Sequence, residues 1–169
     1  GRKYGQGYDS SDASVPTVKS GPVSLSTGQS SSNKNVFYTS SSSYNYDWLS
    51  PQDDKLWNSG TENNPVKTEY DPCPSGWRVP TYAELDELRS NKSSWTTSDG
   101  QEGYWFSGST SYSSTVARVF FPAAGGRYNF GGYADARGYY GFYWSSRPGG
   151  NSAYILLFGS GNTNMSSYT

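Results

Sequence analysis

The sequence predicts an α+β chain of short helices, twisted antiparallel strands and long irregular loops. Three observations carry that prediction. One strong helix signal, at residues 81–89, precedes several short runs rich in aromatic and β-branched residues, bounded by Gly, Ser and Pro. A helix followed by successive strands, without regular alternation, argues for an antiparallel sheet. Finally, 169 residues suit one domain, 1–169, and aromatic residues are 17% of a chain that is only 33% hydrophobic, with 16 Tyr. A core built from rings that each bury a large area is therefore expected.

Residues 1–45 are rich in Ser, Gly, Asn and Thr and read as a loop-rich surface excursion, with Ser40 to Ser43 of low complexity. Val15-Pro16-Thr17-Val18 and Asn35-Val36-Phe37-Tyr38 are its two candidate strands. Tyr46-Asp47-Trp48-Leu49 then supplies apolar anchors, and Ser50 to Asp54 reads as a helical turn leading into Leu56-Trp57.

The densest text is Asp71-Pro72-Cys73-Pro74-Ser75-Gly76-Trp77-Arg78-Val79-Pro80. Its prolines fix φ on both sides of Cys73, and Gly76 permits a turn that side chains resist. Arg78-Val79 is pushed into extended backbone by Pro80. Thr81 and Glu84 have the spacing of a capping box, and the following helix turns Leu85 and Leu88 to one face. Trp77 is expected to be buried, and Cys73 to be a buried structural thiol.

Tyr104-Trp105-Phe106, Val116 to Phe121, Phe142 to Ser145 and Tyr154 to Phe158 read as strands. Period-two burial assigns Trp105, Trp144 and Phe158 to the core.

Charge and composition remove several functions. Thirteen basic against fourteen acidic residues create no field for a phosphate backbone, so no nucleic-acid partner is expected. The longest apolar run, Ala153 to Phe158, is strand-sized, so no membrane-spanning segment is expected. There is no His, which removes Ser-His-Asp, Cys-His and His-metal chemistry. The pairs Asp53/Asp54 and Asp86/Glu87 are adjacent in sequence and read as solvated faces. The sequence reading is therefore a non-enzyme with no cofactor; a calcium ion near Asp9 or Asp12 would have no motif to support it.

The string Asp-Pro-Cys-Pro-x-Gly-Trp-Arg-Val-Pro-Thr-x-x-Glu, from Asp71 to Glu84, resembles the signature of the Fibrobacter succinogenes major paralogous domain family. Further similar blocks follow in order: Tyr104 to Ser107, Phe121 to Gly125, Gly141 to Ser146, Ala153 to Phe158 and Ser160 to Asn162. The opening Gly1-Arg2-Lys3 is similar to the family's Trp-Gly-Arg-Lys without its Trp. The resemblance covers about residues 48–169 and implies a C-type-lectin-like fold in a surface protein of Bacteroidetes-type bacteria. It also implies a final strand beyond Thr169, carrying a partner for Cys73. The related formylglycine-generating enzymes rely on later cysteines, which this chain lacks, and the Glu-Pro-Asn, Gln-Pro-Asp and Trp-Asn-Asp motifs of calcium-dependent lectins do not occur.

The C-terminal third mixes Tyr, Arg, Asn, Ser and Gly, the composition of a recognition surface: rigid amphipathic rings among adaptable hydrogen-bonding groups. Tyr139, Tyr140, Tyr143, Arg147, Asn151, Asn162 and Asn164 are the candidate ligand-binding residues, facing a surface protein or a glycan. This block is similar to the variable region of diversity-generating retroelement target proteins. The function expected is a ligand-binding or adhesion module at a bacterial cell surface, on a lipoprotein or pilus tip, with a virion receptor-binding or assembly domain as the alternative.

Overall fold

The computed structural model describes residues 17–33, 36–108, 115–128 and 131–168. Strand predominates, the sheets of the C-terminal two thirds are antiparallel, and the main helix packs against them, in keeping with an α+β class.

That helix, α2 (Tyr82–Arg89), starts where the capping box places it. The Glu84 N–H donates to Thr81 Oγ1 (3.3 Å), and Glu84 Oε2 accepts from the Thr81 N–H (2.8 Å). Arg78 forks onto the same carboxylate from the preceding extended segment. Thr81 and Glu84 are thus structural, as the sequence predicts. The Arg78 hydrogen bond chiefly, opposed by burial and aided by the Thr81 N–H, holds the Glu84 carboxyl down to about 2. The helix buries Leu85 and lays Leu88 on the core, while Arg89 pairs with Asp86 at its surface.

Two three-stranded antiparallel sheets carry most of the core. One orders β3 (Thr96–Ser98), β4 (Gln101–Ser107) and β5 (Arg118–Pro122) as β3-β4-β5. The other orders β8 (Tyr140–Pro148), β9 (Ala153–Gly159) and β10 (Asn162–Tyr168) as β10-β9-β8. A two-stranded ribbon of β6 (Gly126–Arg127) and β7 (Ala134–Asp135) lies between them in sequence. Helix α2 contacts both three-stranded sheets. Phe106 and Phe158 have no exposed surface, and Tyr104, Leu85, Leu156 and Ala123 close the cluster. Ring meets ring throughout: Tyr104 to Phe158 at 5.6 Å and Phe106 to Phe158 at 5.9 Å between centroids. The ring-built core expected from composition is present, with Phe158 at its centre.

The expected strands at 104–106, 116–121, 142–145 and 154–158 are all found, with shifted ends. Strand β10 was not foreseen, because Asn162 to Tyr168 alternates polar residues with one Met and one Tyr, and only pairing with β9 reveals it.

In the N-terminal part both candidate strands are found, with shifted ends, and a short helix joins them. Strand β1 (Thr17–Ser20) runs parallel to β2 (Val36–Thr39), α1 (Leu25–Gln29) lies between them, and Val36 and Tyr38 are buried. Backbone hydrogen bonds knit the segment, Gly21 N–H to Thr39 O (2.6 Å) and Val23 N–H to Trp48 O (2.8 Å). Such bonds use no distinctive side chains, so composition does not show them. The candidate-strand residues Val15, Pro16 and Asn35 lie outside the described residues. Residues Ser50 to Asp54 make no helix; a turn closes from Leu56 N–H to Asp53 O (3.2 Å). Leu49 is the buried anchor beside it.

Asp71 organises the proline-rich block. Its side chain is 1% exposed and accepts from Lys67 Nζ (2.8 Å), the Cys73 N–H (2.8 Å) and the Val79 N–H (2.9 Å). Burial pushes its carboxyl up, but these hydrogen bonds outweigh burial and hold it below the ordinary range. Cys73 is half-buried and free, and its carbonyl also accepts from Lys67 (2.7 Å). Burial first, and the Asp71 carboxylate second, raise the thiol above its ordinary range. Trp77 corrects the sequence reading: it is 73% exposed. The turn from Pro74 to Trp77 closes on the surface, with Gly76 at φ +82°, and the chain enters the core only at Val79.

Candidate functional site

Strand register decides which predicted recognition residues share a surface. Rows run across β8, β9 and β10: Tyr140–Gly159–Asn162, Phe142–Leu157–Asn164 and Trp144–Ile155–Ser166. Side chains alternate along each strand, so these rows share the sheet face turned away from Tyr143, Leu156 and Phe158. Tyr140 leans over Gly159, where a Cβ would lie 3.0 Å from its ring. Phe142 meets Tyr140 at 6.2 Å and meets Tyr168 edge-on at 5.9 Å between centroids. Phe142 and Tyr168 stand on outer strands, so their contact crosses β9 and roofs Ile155, which has no exposed surface. Around that roof Tyr140 is 47%, Trp144 40% and Tyr168 46% exposed, and Tyr139, at the strand entry, is 75% exposed. Asn162 and Asn164 are exposed along the far edge. The result is a patch of rings bordered by amides on a regular sheet.

The predicted set therefore divides. Tyr139, Tyr140, Asn162 and Asn164 come together, joined by Trp144 and Tyr168, which sequence reasoning left out of the site. Trp144 was expected in the core; it lies opposite Tyr143 in the strand alternation, and only one of the two can face inward. Tyr143 is the one that does, correcting its assignment to the binding surface. Its ring stacks on Phe121 (4.5 Å) and Phe158 (5.7 Å), its hydroxyl donates to Pro122 O (2.8 Å), and burial raises its phenol. The signal that chooses between them is Gly141. It leaves the core face of β8 bare, with a would-be Cβ 2.2 Å from Phe158, so its period-two neighbour Tyr143 shares that face.

Arg147 and Asn151 lie at the other end of β8. The pairing shifts between Trp144 and Pro148, a bulge that changes side-chain aim. Ser145 Oγ donates to Tyr154 O (2.8 Å), the Ser146 N–H donates to Pro80 O (2.8 Å), and Arg147 stacks over the rings of Tyr82 (5.0 Å) and Tyr154 (5.1 Å). Asn151 is exposed in the β8–β9 turn.

Trp105 is also corrected from core to outer face. Tyr104 and Phe106, its neighbours on β4, are 3% and 0% exposed, so alternation turns Trp105 away, against Phe120 (5.2 Å) and beneath the Arg118 guanidinium (4.4 Å). A shallow cleft of about 400 Å3 opens beside it, walled by Trp95 and Ser93.

Among the described residues no group of three or more His, Cys, Asp or Glu side chains is placed to hold a metal, and Asp9 and Asp12 lie outside those residues. Among the same residues no helix is long and apolar enough to cross a membrane. The chain matches no family model, no curated protein and no solved structure.

Proposed function

We propose that this protein is a non-catalytic ligand-binding module of the C-type-lectin-like type, displayed at a bacterial surface, whose binding face is the outer side of the β8–β9–β10 sheet. One observation carries the reading: Tyr139, Tyr140, Trp144 and Tyr168 are 40–75% exposed around one sheet face, beside Asn162 and Asn164. Exposed aromatic patches of this kind mark interaction surfaces. Rings held by strands lose little conformational entropy on binding, and amides at the border add directional hydrogen bonds. The motif blocks from Asp71 onward, with their resemblance to the paralogous domain family, support the surface setting.

A combined glycan and protein array tests it, with wild type compared with the double variant Tyr140→Ala/Trp144→Ala. We expect ligands of the wild type to be weakened by about 30-fold or more in the variant, the loss typical of two central aromatic contacts. Unchanged binding by a variant that folds normally would sink the proposed face.

The similarity of the C-terminal block to retroelement variable regions adds a second expectation. Sequenced sibling copies of the gene should differ at outward positions such as Tyr140, Trp144, Asn162 and Asn164 and agree at Tyr143, Leu156 and Phe158. Differences spread evenly over both faces of the sheet would refute diversification.

A further inference from the structure

At the far end of β8 from Tyr140, a separate cleft of about 390 Å3 opens between the 54–62 loop and the strand's end. Its wall includes Asp54, Lys55, Asn58, Glu62, Ser146 and Arg147. Four of these are charged, two of each sign. The ion pairs among the described residues are Lys67–Asp71, Arg78–Glu84 and Arg89–Asp86, so none of the four cleft charges is paired with another.

Two of the four are held in place by the same residue. Glu62 accepts from the N–H groups of Tyr82 (3.4 Å) and Ala83 (3.1 Å) at the start of α2, while Arg147 lies over the Tyr82 ring. A carboxylate and a guanidinium are thus both fixed on the wall of one cleft without pairing with each other. Ser146 lies between the bulge of β8 and the proline-rich block. It is 9% exposed, and its Oγ is buried with no hydrogen-bond partner. Asn58 accepts with its Oδ1 from the N–H groups of Gly60 (3.0 Å) and Val66 (2.8 Å), which fixes the turn of the 54–62 loop on the cleft wall.

The charge pattern selects the ligand. A simple anion would meet two carboxylates, and a metal cation would meet a lysine and an arginine. A ligand carrying both charges meets neither penalty, and the volume suits a small molecule. We infer that this cleft binds a free α-amino acid, its carboxylate on Arg147 and its ammonium on Glu62 and Asp54. Arg147 supplies a planar fork matched to a carboxylate, already oriented by two tyrosine rings. The site stands apart from the outer sheet face, and neither depends on the other.

The test is a 15N chemical-shift titration of the whole domain with the proteinogenic L-amino acids taken singly, followed by the N-acetyl and methyl-ester forms of each binder. A saturable shift of the Ala83, Ser146 and Arg147 amides is expected, weakened about ten- to hundredfold by capping either charged end. Arg147→Met, which keeps an apolar stem on the tyrosine rings, and Glu62→Gln should weaken binding within the same range, with the Tyr140→Ala/Trp144→Ala variant binding as wild type does. No shift from any amino acid, or equal shifts from free and capped forms, overturns the inference. An array failure of the outer face would leave this result untouched, so the two readings fail separately.

Discussion

Phe158→Ala should cost about 3–5 kcal/mol of stability. Phe158 has no exposed surface and touches the rings of Trp95, Tyr104, Phe106 and Tyr143. It also fills the space that Gly141 leaves on β8. Close-packed rings from three different segments, the Trp95 loop, β4 and β8, cannot all move inward to fill the void, so the cavity term adds to the lost transfer energy. Urea unfolding reads the effect as a lower midpoint, and in a domain of this size the melting temperature should fall by roughly 10 °C. Trp77→Ala is the matching control. A residue 73% exposed on a turn should change stability by about 0.5 kcal/mol or less. A large loss for Trp77→Ala would restore the buried role that its sequence context suggests and contradict the fold described above.

Asp71→Ala should cost about 2–4 kcal/mol at neutral pH, because it leaves the Val79 and Cys73 N–H groups without their acceptor and removes the charge partner of Lys67. The effect depends on pH in a definite direction. The folded carboxyl lies below its ordinary value of 3.8, so its contribution is complete above 3.8 and is lost as pH falls through the folded value. Glu84, held down to about 2 from an ordinary 4.5, loses its contribution over the neighbouring window. Wild type should therefore weaken steadily in acid, and the gap between wild type and Asp71→Ala should close as it does. Stability measured against pH for both proteins checks this. A gap of constant size down to pH 2 would mean that Asp71 acts through its shape and not its charge.

Local instructions were legible wherever neighbouring residues carry them. The capping box of Thr81 and Glu84, the turn at Gly76 and the extended Arg78-Val79 all depend on contacts within a few residues. The same holds for the aromatic strands, because composition and alternation act over five or six positions. What stayed hidden depends on pairing that the residue types do not announce. Strand β10 is mostly polar and is a strand because β9, just before it in the chain, offers it a ladder. The β1–β2 pairing joins segments separated by a helix, through backbone groups that every residue type possesses.

The candidate site shows the same division more sharply. Its residue types and approximate place, Tyr and Asn between Tyr139 and Asn164, follow from composition. Which face each residue occupies does not, since an aromatic run such as Phe142-Tyr143-Trp144 satisfies period two in either phase. The bulge after Trp144 then moves Arg147 off that face altogether, onto Tyr82 and Tyr154.

By itself, then, the sequence determined an α+β chain with an aromatic core, a capped helix after the Asp71 block and a C-terminal third composed for recognition. Only the tertiary structure decided that Tyr143 faces inward and Trp144 outward, that Trp77 is exposed, and that Arg147 and Glu62 share a cleft. The physical reason is range. Turn, cap and propensity energies act between neighbours in the chain, whereas facing, register and cleft formation depend on which distant segments pack together.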